Sequence, residues 1–240
     1  MNLIFYLIYK FGISIAYDLF ITNQKLSFFE LIICEVCFIS LKNKNESMDA
    51  LVLYFKLGLH HVLDILAYDH VLFLIVLAVV FNFNQWKKVV WLITFFTIGH
   101  SLTLALAAYG LIKVPLDIVE FLIPVTICIT GVFNILRASN TVAGKEKITF
   151  FFALFFGLVH GLGFSNYFRI LIGKEDDKIL PLLEFALGIE AAQIIIVFSV
   201  LFLGMFLQNF FRVVRRDWVL VTSAIVIGIS IPMIINRIFW

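Results

Sequence analysis

The sequence predicts an all-α integral membrane protein: a six-helix transmembrane bundle with an additional N-terminal surface or short helix. Three observations support this fold class. The mean hydropathy is +1.07 and only 14% of the residues are charged, a composition that excludes an ordinary soluble domain. The apolar runs are continuous and do not alternate, which is typical of helices and not of barrel strands. Short charged connectors separate most of these runs.

The segment 50–84 must break before the first spanning helix. As one straight helix it would be about 52 Å long, whereas the hydrocarbon core of a bilayer is about 30 Å thick. We therefore expect 50–63 to form a helix on or partly in the membrane surface. A new helix is then expected to begin at Asp69, whose carboxylate suits the free N–H groups of a helix start.

Six apolar runs after residue 68 are candidates to cross a bilayer, which takes about 20 residues. The predicted spans are roughly 69–84, 89–110, 117–137, 148–167, 179–204 and 218–236. Tryptophans, which prefer the membrane interface, lie near the ends of these runs. They are Trp86, Trp91, Trp218 and Trp240.

Residues 1–47 have weaker apolar runs that contain charged residues, and a polar stretch, "KNKNES", ends them. Two interpretations are open: two weak extra membrane helices, or an extension upstream of a true start at Met48. The second is favoured, because the charges follow no pattern typical of a membrane anchor. The transmembrane domain is then 48–240.

The stretch "HHVLDILAYDH" at 60–70 concentrates histidines and carboxylates in a chain that has only five histidines. Further ionisable residues lie deep in predicted spans, where a charge costs roughly 2.5–3.5 kcal/mol and a functional site is the default hypothesis. The candidate metal ligands are His61, Asp64, Asp69, His70, His100, His160 and Glu190.

A single membrane histidine can equally be neutral and hydrogen-bonded between helices. His60 is expected to face water, because its neighbour His61 must point elsewhere on a helix. The histidines taken together favour a metal site. Gly99 precedes His100, and glycines flank His160, so each ring is expected at a tight helix crossing. Imidazole and carboxylate ligands suit zinc, nickel, cobalt or iron, and the lack of thiolates argues against Cu(I).

Five segments in this order resemble the HupE/UreJ family of membrane proteins, and its second branch in particular. They are "LGLHHVLDILAYDHVLFLI", "FTIGHSLTLAL", "VEFLIPVTI", "FFGLVHGLGFSNYFR" and "FALGIEAAQ". Members of this family are regarded as permeases for nickel, or sometimes cobalt. The resemblance implies that His61, Asp69 and His70 form the family's histidine and acidic motif. It also implies functional positions for the later polar residues His100, His160 and Glu190.

The resemblance implies a permease for a divalent transition metal in the inner (cytoplasmic) membrane of a bacterium, with the metal ion (Ni, Co or Zn) and the lipid bilayer as partners. No basic run suggests nucleic acid. Two other classes stay open. Histidines and carboxylates could hold zinc and activate water, as in an intramembrane hydrolase. The polar residues could also only join helices, as in a structural membrane subunit.

The connectors differ in positive charge between the two sides of the predicted bundle, and loops rich in Lys and Arg stay in the cytoplasm. Eight basic residues lie on the side of loops 84–88, 137–147 and 205–217, against five on the other. The first side is therefore predicted to be cytoplasmic, and the metal site to open outward.

Overall fold

The computed structural model describes residues 47–64, 68–138, 146–172 and 178–239. These residues form α-helices and one 3₁₀ turn, without strands, so the predicted all-α class is confirmed. The helices are α1 Ser47–Leu63, α2 Asp69–Ala78, α3 Trp86–Ala108, α4 Leu116–Ala138, α5 Glu146–Ile172, α6 Ile179–Phe210 and α7 Arg215–Asn236. Residues 1–46 lie outside the described ranges, so the interpretation of the N-terminal extension stays a prediction.

Among the described residues, five helices are long and apolar enough to cross a membrane, namely α3 to α7. The predicted count of six spans is wrong, and the difference lies in 69–84. Helix α2 ends at Ala78 after 10 residues, a length of about 15 Å or half a bilayer core. The apolar run in the sequence continues through Val79 to Phe81, but the backbone there turns. Asn82 then opens a 3₁₀ turn, with its N–H donating to Gln85 Oε1 at 3.1 Å.

Helix α2 is a half-length helix that begins inside the bundle. Its apolar side chains belong to the main core, which also includes residues of α3 and α5. The ring of Phe73 lies 5.1 Å from that of Phe96. Asp69 and His70, at the start of α2, are buried. The predicted break before Asp69 is present, and it delivers two polar residues into the protein interior.

Helix α1 packs one face against α6. Tyr54, Leu57 and Val62 are buried, whereas Lys56 and His60 are exposed. A Cβ at Gly58 would collide with the backbone carbonyl of Phe185, so the two helices approach to backbone contact. The additional short helix expected near the N-terminus is therefore confirmed, and it is an integral part of the packed bundle.

A second close crossing joins α3 to α5. A Cβ at Gly99 would overlap the carbonyl oxygen of Leu154, and one at Gly157 would overlap that of Phe96. Gly161 similarly lies against His100 O and the hydroxyl of Thr103. Glycine is required at these positions because any side chain would force the two backbones apart.

We expect Gly157→Ala to destabilise the protein by about 1–3 kcal/mol, since the added methyl group overpacks a backbone contact. Gly228 of α7 has open space around its Cβ position. Gly228→Ala should therefore be neutral or stabilising by about 0.5–1 kcal/mol, as usual in a helix interior. Thermal unfolding of both variants in detergent checks this. Equal unfolding temperatures for the two would contradict the close crossing.

The predicted orientation of the bundle in the membrane can be tested at two matched aspartates. Asp117 and Asp217 are both exposed and lie in the first turns of α4 and α7, at opposite ends of the bundle. In a background without other cysteines, Asp117→Cys should react with an impermeant thiol reagent added to intact cells. Asp217→Cys should be protected until the cells are opened. The reverse labelling pattern would put the site near the cytoplasmic surface.

Candidate metal centre

Four histidines from four helices meet in the bundle interior and are here called the histidine cluster: His61, His70, His100 and His160. The ring centroids of His61 and His70 are 4.6 Å apart, and those of His70 and His160 are 5.4 Å apart. One ring nitrogen each from His61, His70 and His100 lies within 4.8 Å of the other two. Three imidazole nitrogens at this spacing can hold one metal ion.

Three rings of the cluster are buried and His61 is half-buried, and the ring nitrogens of the cluster are poorly satisfied. The exposed fraction is 0% for His100, 1% for His160 and 5% for His70. Among the described residues, Nε2 of all four rings and Nδ1 of His100 lack a hydrogen-bond partner. A buried polar group without a partner costs about 1–3 kcal/mol. Several such atoms aimed at one region indicate a ligand that satisfies them together.

Hydrogen bonds to Nδ1 set the tautomer of two of these rings. Nδ1 of His70 lies 3.0 Å from Oδ1 of Asp69, and Nδ1 of His160 lies 2.9 Å from Phe156 O. A carboxylate and a carbonyl only accept, so Nδ1 must carry the proton in a neutral ring. Nε2 then keeps its lone pair free for a metal. This carboxylate–histidine arrangement recurs around metal ions in proteins.

Asp69 is held in place from several directions. Its Oδ1 also accepts the backbone N–H of His70 at 2.8 Å. Its Oδ2 lies 3.8 Å from Nη1 of Arg237, just beyond the end of α7. The same guanidinium nitrogen donates to Glu120 O at 3.2 Å. Arg237 therefore links α2, α4 and α7 around the carboxylate that orients His70.

Aromatic rings enclose the cluster on several sides. Phe164 lies 4.0 Å from the ring of His61 and stacks on Phe185. Phe73 and Phe96 lie 5.2 Å and 5.3 Å from the ring of His160. These rings offer an ion no ligand atoms, so a bound ion would depend on the imidazoles.

The other candidate ligands lie at different distances from the cluster. Asp64 is buried just after α1, one helical turn beyond His61. Glu190 is on α6 and accepts a hydrogen bond from the Thr94 hydroxyl at 2.6 Å. The candidate set thus separates into the four histidines with Asp69, and Glu190 with partners of its own. His60 is exposed, on the face of α1 expected to be away from the site.

Sequence reasoning missed the partners of Glu190. The Thr97 hydroxyl lies 2.9 Å from Oε1 of Gln193, one turn from the Thr94–Glu190 pair on both helices. These side chains are here called the oxygen cluster: Thr94, Thr97, Glu190 and Gln193. The sequence does contain one signal for these partners, which is the regular spacing of the polar residues along each helix. Thr94, Thr97 and His100 recur every three residues, and so do Glu190 and Gln193.

A family model described as HupE / UreJ protein matches residues 39–237, a stretch that begins upstream of Met48. No curated protein matches, and no solved structure matches. The match contains all seven described helices in full.

Adjacent histidines provide a matched test of the cluster. His61→Ala should weaken Ni²⁺ or Co²⁺ binding by about tenfold or more, because it removes a ligand. His60→Ala should leave affinity unchanged, since His60 is exposed. Asp69→Ala should cost about tenfold, because the ring of His70 loses its orienting partner. Calorimetric titration of the purified protein checks all three. A similar loss in the His60 and His61 variants would remove this cluster as the binding site.

Proposed function

Since the chain belongs to the HupE/UreJ family, we propose that it is a membrane permease for a divalent transition metal ion, nickel or cobalt. The observation that carries the proposal is the set of buried imidazole nitrogens, unpartnered among the described residues, that converge inside a membrane-spanning bundle. The metal ion is the transported substrate, and the bundle supplies its ligands.

Each residue has a distinct role in this proposal. His61, His70 and His100 bind the ion, and His160 lies close enough to His70 to exchange with one of them as the ion moves. Asp69 orients His70 and adds a negative charge that favours a cation. Asp64, buried close to His61, adds a second carboxylate at the same end of the site. Imidazole suits nickel and cobalt well, and the cluster offers no thiolate that would select softer ions.

The depth of the cluster favours entry from one side. His100 lies 8 residues from the end of α3 at Ala108 and 14 from its start at Trp86, or about 12 Å and 21 Å along the helix. The nearer end is the one predicted to face outward. We therefore propose that the ion enters from outside and reaches the histidine cluster first.

An intramembrane zinc hydrolase is the second candidate, because three histidines are also the ligand set of some catalytic zinc sites. The two functions differ in how long the metal stays. A hydrolase needs a resident zinc ion in fixed stoichiometry, and a permease needs an ion that leaves.

Transport should be measured with purified protein in liposomes that contain a metal-sensitive dye. We expect Ni²⁺ or Co²⁺ influx, and a loss of about tenfold or more in His70→Ala and His100→Ala. His60→Ala should transport like the wild type. Bound metal should exchange with free metal during the assay.

A different outcome would reverse the assignment. Zinc that survives purification at one ion per chain, does not exchange and accompanies no influx would favour the hydrolase. A protein that neither binds nor transports a divalent ion would leave a structural role for the cluster.

A further inference from the structure

The oxygen cluster lies next to the histidine cluster, on the side away from the proposed entrance. Thr97 precedes His100 by one helical turn and points to α6, and Thr94 lies one turn further along. Thr97 is 5% exposed and Gln193 is 0% exposed. Helices α3 and α6 are antiparallel here, as shown by Lys178 donating to Ala108 O at one end and by Trp86 lying against Phe198 at the other.

The hydrogen bonds within this cluster do not balance. The Thr97 hydroxyl lies 3.1 Å from Ile93 O and 2.9 Å from Oε1 of Gln193, but it has one hydrogen to donate. Nε2 of Gln193 is buried and has no partner among the described residues. One polar atom of the Gln193 amide is therefore left over.

A half-turn of the Gln193 amide resolves the conflict at Thr97. Nε2 then donates to the Thr97 hydroxyl, and that hydroxyl donates to Ile93 O. The carbonyl oxygen of Gln193 takes the position of the unpartnered nitrogen, because the two atoms exchange places on rotation. The result is a buried oxygen without a partner among the described residues, on the residue one helical turn from Glu190.

From this geometry we infer that the oxygen cluster is a second binding site for the divalent cation, which receives the ion from His100 during passage through the bundle. The inference rests on the proposed permease function and adds residues to it. Oxygen ligands suit harder ions and hold nickel or cobalt less firmly than imidazole does. Conduction requires sites weak enough for the ion to leave again, and the change from nitrogen to oxygen ligands supplies such a site.

The route continues toward the predicted cytoplasmic end. A cavity of about 260 Å³ lies there between the end of α2 and the last turns of α6. Amide side chains line it: Asn82, Asn84, Gln208 and Asn209. Val200, at the near edge of this cavity, lies two turns beyond Gln193 on α6. Carbonyl oxygens of these amides offer the same class of ligand as the oxygen cluster.

The test separates binding from passage. Thr97→Val keeps the shape of the side chain and removes its hydroxyl, and Gln193→Leu removes the amide. Both should lower Ni²⁺ influx into liposomes by about tenfold, while calorimetric affinity at the histidine cluster stays close to that of the wild type. Thr97→Ser should restore influx, because it returns the hydroxyl.

Thr126→Val is the matched control. Thr126 is also buried, and its hydroxyl donates to Ile123 O of its own helix at 2.7 Å. This variant should transport normally. Unchanged influx in both Thr97→Val and Gln193→Leu would overturn the second site, and so would an equal loss in Thr126→Val. Loss of both affinity and influx in either variant would assign these residues to the histidine site instead.

Different results would contradict the proposed function and the second binding site. A wild-type protein without Ni²⁺ influx contradicts the permease itself. Normal wild-type influx that needs His100 but neither Thr97 nor Gln193 contradicts only the second site. If one variant does not fold, thermal unfolding will show it, and the other variant decides.

Discussion

The contact between the backbones of α3 and α5 is the constraint on which the candidate metal centre depends. Gly99, Gly157 and Gly161 remove the side chains that would hold these helices apart. His100 and His160 are neighbours of these glycines in sequence, so the crossing that brings the helices together also brings the two rings to the same depth. A second glycine contact, at Gly58, does the same for His61 by holding α1 against α6. Backbone packing therefore sets where the rings of His61, His100 and His160 lie.

Hydrogen-bond accounting separates two kinds of polar residue in this interior. Thr126 and Ser230 donate to carbonyls of their own helices and leave nothing unsatisfied. His70 and His160 instead hydrogen-bond through Nδ1 only, to Asp69 and to Phe156 O respectively. In His100 neither ring nitrogen has a partner among the described residues. Membrane interiors penalise such unmet groups because no water is available to satisfy them. A bundle that keeps several such nitrogens in one place is stabilised when a metal cation binds them.

Most of the architecture could be predicted from composition and apolar runs, because membrane helices are read from hydropathy with little help from tertiary contacts. The break before Asp69 could be predicted from length alone. The end of α2 at Ala78 could not, since Val79, Val80 and Phe81 are as apolar as a spanning helix while the turn depends on Asn82 and its neighbours. The histidines could be listed, but their convergence is a property of helix packing. The pairing of Glu190 with Thr94, and of Gln193 with Thr97, needed the register between α3 and α6, which no local pattern contains.

The position of Arg237 in the chain determines when the contacts of the site can form during synthesis. Arg237 follows α7, the last helix described, but its side chain contacts Asp69 at the start of α2. Asp69 in turn orients the ring of His70. During synthesis His61 and His70 leave the ribosome long before Arg237 does, and Glu120, whose carbonyl shares this arginine, lies between them. The contacts that orient the first ligands are complete only once α7 has packed and brought Arg237 to Asp69. A nascent chain would thus present its early histidines without their finished geometry, and competence to hold an ion would arise only after α7 has packed against α2 and α4.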